Sequence, residues 1–262
     1  MKFDPSYTQS WYEQLGAGEW DRWDQSPTTK LREKLFLHHL FAAVSKGGRV
    51  LDAGCGAGRF TAPMIQAGAK VTAFDLSPVQ LKLARERAPG AADYVQGSIT
   101  DLGAFPDASF DTTVCIGGAI SYTFEQAGRA MSELVRVTKP GGRVVLSVLS
   151  LFGSIHGSLP GVLQFDAEDN ERVVSTGDLP RDFDTPHECH LYRVEELRTL
   201  MEGAGFDEVV LAAPGFLTVA HKDLELPKEG TPEYEFLLRM ELEASLENPG
   251  GGPHIIGIGR RA

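Results

Sequence analysis

Short apolar runs alternate with amphipathic stretches over most of the chain, an alternation that predicts strands separated by helices. Gly47-Gly48 turns into an apolar run ending at Asp52, and residues 60–68 carry apolar positions at helical spacing. Residues 71–75 predict a second strand. Ser77-Pro78-Val79-Gln80 opens the next helix as a capping box, with Leu81, Ala84 and Ala88 on its inner face. Residues 92–96 and 110–116 predict strands three and four. The helix 124–138 turns Ala130, Leu134 and Val137 inward, Pro140-Gly141-Gly142 stops it, and residues 143–148 predict strand five.

The flanks differ. Residues 30–44 form a helical stripe of Leu31, Leu35, Leu37, Leu40 and Phe41, preceded by an aromatic stretch with Tyr7, Trp11, Tyr12, Trp20 and Trp23. From Leu149 to about Leu191 the periodicity fails, and a loop so long implies a small cap. Regular pattern returns with a helix over residues 193–200, ended by Gly203 and Gly205, and a sixth strand over 206–212. Thr231-Pro232 starts a helix whose buried stripe is Tyr234, Leu237, Leu238, Leu242 and Leu246, and residues 254–259 predict a last strand. The expected fold is α/β: a doubly wound, seven-stranded, mostly parallel sheet with a cap inserted after strand five. The expected segments are an N-terminal arm (1–46), a cofactor-binding core (47–150), the cap (151–190) and the C-terminal part of the sheet (191–262).

Ligands of such sheets bind beyond the carboxyl ends of the strands. Here those ends are residues 52–58, Asp75-Leu76, Ser98-Ile99 and residues 116–122. Between strand one and its helix lies Asp52-Ala53-Gly54-Cys55-Gly56-Ala57-Gly58, and about twenty residues on, strand two ends in Asp75, placed to take both hydroxyls of a ribose. The dinucleotide fingerprint needs glycine where Arg59 stands, which disfavours a nicotinamide oxidoreductase. The loop, the Phe74-Asp75-Leu76-Ser77-Pro78 strand end and Lys139-Pro140-Gly141-Gly142 closely resemble the class I S-adenosylmethionine-dependent methyltransferases, over about residues 50–148.

That resemblance implies S-adenosylmethionine as cofactor, S-adenosylhomocysteine as product, and in-line displacement of the methyl group onto a small-molecule acceptor. A protein that binds the cofactor without methyl transfer is the alternative on the same fold. The resemblance implies that Gly54, Cys55, Gly56 and Gly58 let the chain pass close to the ligand and that Asp52 or the Gly54 carbonyl receives its ammonium. Arg59 is then a candidate for its carboxylate, Asp75 for the ribose, Leu76 and Ile99 for the adenine faces and Ser98 for the adenine edge. Gln80, Ile116 and Gly117 complete the expected cofactor site. Many relatives carry an acid where Ser98 stands. The resemblance also implies a lid role for the arm, a last strand antiparallel beside the fifth, and a cap that holds the acceptor. Trp11, Tyr12, Tyr122 and His156 are therefore the expected acceptor pocket. A general base is needed only for a protonated acceptor, and the candidates are His190 and His187, then His156 and Tyr122.

Composition narrows the partners. Hydrophobic residues make up 42% and charged residues 23%, ordinary for a soluble protein, and no run is long enough to span a bilayer. Without a secretion signal the expected location is the cytoplasm. The net charge of -11 opposes a nucleic-acid partner. The Asn/Asp-Pro-Pro-aromatic sequence of DNA-adenine and glutamine methylases is absent after strand four, which leaves small molecules as the natural class. Cys55, Cys115 and Cys189 lie too far apart for a CxxC site, and His187-Glu188-Cys189-His190 lacks a second ligand cluster, so no metal is expected. So few thiols also disfavour an arsenic methyltransferase.

Overall fold

The computed structural model describes residues 1–180, 188–221 and 223–262. An arm of α1 (Pro5–Leu15) and the single turn α2 (Gly18–Asp21) leads into α3 (Pro27–Phe41). The chain then alternates β1 (Arg49–Ala53), α4 (Thr61–Gln66), β2 (Lys70–Asp75), α5 (Pro78–Arg87), β3 (Asp93–Gln96), β4 (Phe110–Cys115), α6 (Ala127–Val137) and β5 (Thr138–Leu149). After β5 come α7 (Leu151–Val162), α8 (Ala167–Thr176) and a two-stranded ribbon of β6 (Asp178–Leu179) and β7 (Cys189–His190). The last elements are α9 (Val194–Gly203), β8 (Phe206–Ala212), α10 (Pro232–Glu247) and β9 (His254–Arg261).

Seven strands form one sheet in the order β3-β2-β1-β4-β5-β9-β8. The first five are mutually parallel, and β9 runs antiparallel between β5 and β8. β1 sits where the strand order reverses, and its side chains are buried on both faces, as a parallel sheet covered on two sides requires. Leu51 and Ala53 join Met131 and Leu134 of α6 and Leu197 and Met201 of α9. Val50 faces the other layer, with Trp23, Phe36 and Leu40 of the arm and α3 and Met64 of α4. The β1–α4 and β2–α5 connections therefore open at one end of the sheet.

Several boundaries differ from the pattern-based expectation. α3 begins three residues early, because Ser26 caps it and Pro27 occupies its first position. Pro140-Gly141-Gly142 does not end a helix: α6 stops at Val137, and the triplet forms an irregularity in β5 between the Thr138–Phe110 and Arg143–Thr112 pairs. The stripe predicted on α10 is also rotated. Leu246 is half exposed, whereas Glu241 and Ser245 are buried. Glu241 turns inward because its carboxylate accepts three hydrogen bonds, from the Leu217 and Thr218 amides and the Thr218 hydroxyl. Periodicity of apolar residues cannot register such a clamp. The aperiodic stretch contains two real helices. α7 hides its periodicity in a kink at Ser158, two residues before Pro160. No helix among the described residues is long and apolar enough to cross a membrane.

Candidate cofactor and acceptor site

Beyond β1 the chain turns back on itself at Gly54, whose amide and that of Cys55 donate to the Phe74 carbonyl at 2.7 and 3.0 Å. Gly54 has φ +80°, and a Cβ there would lie 2.9 Å from that of Ala119. Gly56, at φ +52°, faces Glu19 of the arm, whose Cγ would be 3.3 Å from an added Cβ. Bare backbone is therefore required at both points.

Asp75 ends β2 beside this loop. Its Oδ2 accepts from the Gly56 amide and its Oδ1 from the Ser77 amide, each at 2.8 Å. Burial raises its pKa, and those two amides oppose the rise. Each oxygen keeps acceptor capacity for a ligand hydroxyl. Asp75 and Leu76 line a cavity of about 610 Å³, together with Gly97, Ser98 and Ile99 from the end of β3 and Gly54 and Gly56 from the loop. Ile116, Gly117 and Ala119 wall it beyond β4.

Its remaining wall is the arm. Phe3, Thr8, Tyr12 and Glu19 reach the cavity, facing Tyr122 and Thr123. Tyr12 and Tyr122 meet edge to face at 5.9 Å, and burial raises both hydroxyl pKa values. Gln80 explains how the arm is held: its amide nitrogen donates to the Tyr12 and Gly16 carbonyls at 2.8 and 3.0 Å. Glu19 Oε1 pairs with Arg22 Nη2 at 2.8 Å, while its buried Oε2 has no hydrogen-bond partner. Burial raises the Glu19 pKa, Arg22 opposes this, and Asp75 adds to it. The Arg22 guanidinium sits 3.5 Å from where a Cβ on Gly117 would be.

Of the expected cofactor residues, the structure brings Gly54, Gly56, Asp75, Leu76, Ser98, Ile99, Ile116 and Gly117 to one cavity, with Tyr12 and Tyr122. Others lie elsewhere. Asp52 is buried behind the loop, where its Oδ2 accepts from the Thr61 hydroxyl at 2.6 Å. Burial pushes its carboxyl up to about 7, against the Thr61 bond and with a contribution from Asp75. Cys55 packs among Ala73, Leu81 and Ala84, and Gly58 meets α5 at Ala84. Gln80 serves the arm. Trp11 is partly buried and does not line the cavity.

Three expectations need correction. Arg59 does not offer its charge to the cavity: Glu33 and Asp24 hold its guanidinium at 2.5 and 2.9 Å, and it stacks 4.9 Å from the Trp20 ring centre. His156 is exposed on α7, near Phe216 and the Gly251 carbonyl. His190 faces a separate cleft, with Nδ1 on Asp178 and Nε2 on Glu196, both at 2.7 Å. Both ring nitrogens are thus turned to carboxylates and neither faces the cofactor cavity. His187 lies outside the described residues.

Glu19 and Arg22 were not anticipated. The only signal was a pair of opposite charges three residues apart amid the arm's tryptophans, and nothing local ties that turn to a loop more than thirty residues away. Among the described residues no group of three or more His, Cys, Asp or Glu could hold a metal ion.

The sheet order, with the glycine loop and Asp75 at its reversal, is the fold of the class I S-adenosylmethionine-dependent methyltransferases. Residues 51–146 match the family described as "Methyltransferase domain". Among curated proteins, it is 38% identical over 104 residues to a malonyl-[acyl-carrier protein] O-methyltransferase from Serratia marcescens, covering 40% of this chain and 39% of that protein. It is 37% identical over 135 residues to the enzyme of that name from Pectobacterium atrosepticum, covering 51% of this chain and 50% of that protein. The chain thus spans half or less of the length of these relatives. A crystal structure of an S-adenosylmethionine-dependent methyltransferase, possible histamine N-methyltransferase, from Thermotoga maritima superposes with a TM-score of 0.59 at 20% identity. It covers 97% of this chain and 99% of that one, so the shared fold extends to the arm and cap.

Proposed function

We propose that this protein transfers the methyl group of S-adenosylmethionine to a small-molecule acceptor, without nucleic-acid or membrane partners, in the cytoplasm. The observation that carries this reading is the Asp75 carboxylate, pinned by two backbone amides at the rim of a cavity whose loop needs bare backbone at Gly54 and Gly56. The cavity suits the cofactor. Asp75 would hold the ribose hydroxyls, Leu76 and Ile99 the adenine faces, and Ser98 its edge. The unpartnered Glu19 oxygen and the Arg22 guanidinium would meet the ammonium and carboxylate of the aminoacyl end.

The bound cofactor supplies an activated methyl on a sulfonium. The chain's own task is alignment and exclusion of water. Tyr12 and Tyr122 wall the acceptor side, and with pKa values raised by burial their hydroxyls stay protonated, able to donate or accept hydrogen bonds but not to serve as bases. Since His190 is engaged by two carboxylates, this arrangement favours an acceptor that is already ionised or carries a free lone pair. A carboxylate, as the malonyl relatives' name implies for them, meets that condition. The net charge of -11 supports a partner that is not a polyanion, and three free buried cysteines support a reducing compartment.

Asp75→Ala tests the reading by calorimetry with S-adenosylmethionine. Loss of two hydrogen bonds to a charged group, about 1.5–3 kcal/mol each, predicts a drop in affinity of at least about a hundredfold. Unchanged affinity in the folded variant would sink the assignment.

A further inference from the structure

A second cleft, with an empty volume of about 1010 Å³, opens between the first turn of α3, the helix α7, and Gly215, Thr218, Val219 and Asp223 of the connection after β8. It shares no lining residue with the cofactor cavity. Arg32 lies in it. Among the described residues its guanidinium makes no hydrogen bond or ion pair, and its Nε is buried without a partner. It rests 5.8 Å from the Trp23 ring centre, and burial together with the neighbouring charge of Arg22 lowers its pKa to about 10, so it remains cationic at neutral pH. In a chain with eleven more acids than bases, a mostly buried cation without an acid is an unmet electrostatic demand.

The surroundings supply donors. The hydroxyls of Ser154 and Ser158 on α7 line the same cleft and make no side-chain hydrogen bond among the described residues. Ser26, Thr28 and Thr29 bond one another at the helix start, and Thr218 is committed to Glu241, so these four are already occupied. One acid, Asp223, lines the cleft; it is exposed and makes no ion pair with Arg32.

We propose that this cleft is an oxyanion site, in which Arg32 with Ser154 and Ser158 takes the phosphate or carboxylate of a small molecule. A guanidinium presents paired donors to either group, and free hydroxyls complete the shell. The proposal does not depend on methyl transfer.

The test is a titration of the intact chain with inorganic phosphate and, separately, with malonate, at ionic strength held constant with KCl. Melting temperature and tryptophan fluorescence are the readouts. Saturable responses to either anion support the site and identify which oxyanion it prefers. Arg32→Gln should abolish them, and Arg32→Lys should weaken them several-fold. Asp223→Asn should strengthen them by about twofold to fivefold. Ser158→Asp, at an exposed position, puts an acid at the mouth and should also abolish them, which keeps the test decisive if Arg32→Gln fails to fold. A non-saturating response like that of KCl, or an unaltered response in Ser158→Asp, overturns the proposal. Competitive displacement of phosphate by S-adenosylmethionine also overturns it, by assigning Arg32 to the cofactor's carboxylate. S-adenosylmethionine affinity, measured on the same variants, reports separately on the cofactor cavity.

Discussion

At the scale of single residues, the site depends on atoms held with little freedom. Gly54→Ala places a methyl 2.9 Å from Ala119 in a left-handed conformation, so about 1–3 kcal/mol of stability should be lost in urea denaturation, together with cofactor affinity. Glu19→Gln should lower affinity for S-adenosylmethionine by about tenfold while leaving adenosine, which lacks the aminoacyl end, bound as before. Equal losses for both ligands in calorimetry would place Glu19 at the nucleoside instead. The glycine loop and Asp75 were legible in the amino-acid string because their spacing along adjacent strands is their geometry. Arg59, His156 and His190 were misleading for the opposite reason. Chemistry-bearing side chains take their direction from neighbours distant in sequence: Glu33 and Asp24 claim Arg59, and Asp178 and Glu196 claim His190. A residue type states what a side chain can do, and only packing states where it points.

Among elements, the ribbon and α9 are joined through His190. Burial lowers its pKa, but the bonds to Glu196 and Asp178 win and raise it, while Glu196 and Asp178 are held below their usual range. A raised histidine stabilises below its unfolded pKa, and that contribution fades as pH climbs through the folded value. The two lowered acids stabilise above their unfolded values, and their share fades as pH falls through the folded ones. The ribbon should therefore be firmest in the mildly acidic range and loosen toward alkaline pH. Hydrogen exchange at residues 188–192 should show this, and His190→Gln should flatten the profile between about pH 6 and 9. On α10, Glu241→Ala leaves three donors without their acceptor and should cost about 2–4 kcal/mol in urea denaturation. Strand and helix order was readable from alternation alone, since each period reports which faces are covered. Rotation of α10 was not, because a buried acid satisfied by hydrogen bonds looks in sequence like a solvated one.

Over the whole molecule, net charge and topology act together. A charge of -11 surrounds a cavity lined by Asp75 and Glu19, a field that favours a cationic ligand such as the proposed cofactor. Its association rate, followed by stopped-flow tryptophan fluorescence, should fall as salt is raised. A rate indifferent to salt would show that the field does not reach the mouth. The position of β1 at the reversal of strand order sets the mouth's location, and that much follows from the winding of the sheet. What winding does not convey is that Phe3, Thr8, Tyr12 and Glu19 close the far side, moored to α5 through Gln80. The opening segment is thus one wall of the proposed binding vessel. Deleting the first two dozen residues would leave the ribose end of a nucleoside gripped but its tail bathed in water, turning a chamber into an open gutter.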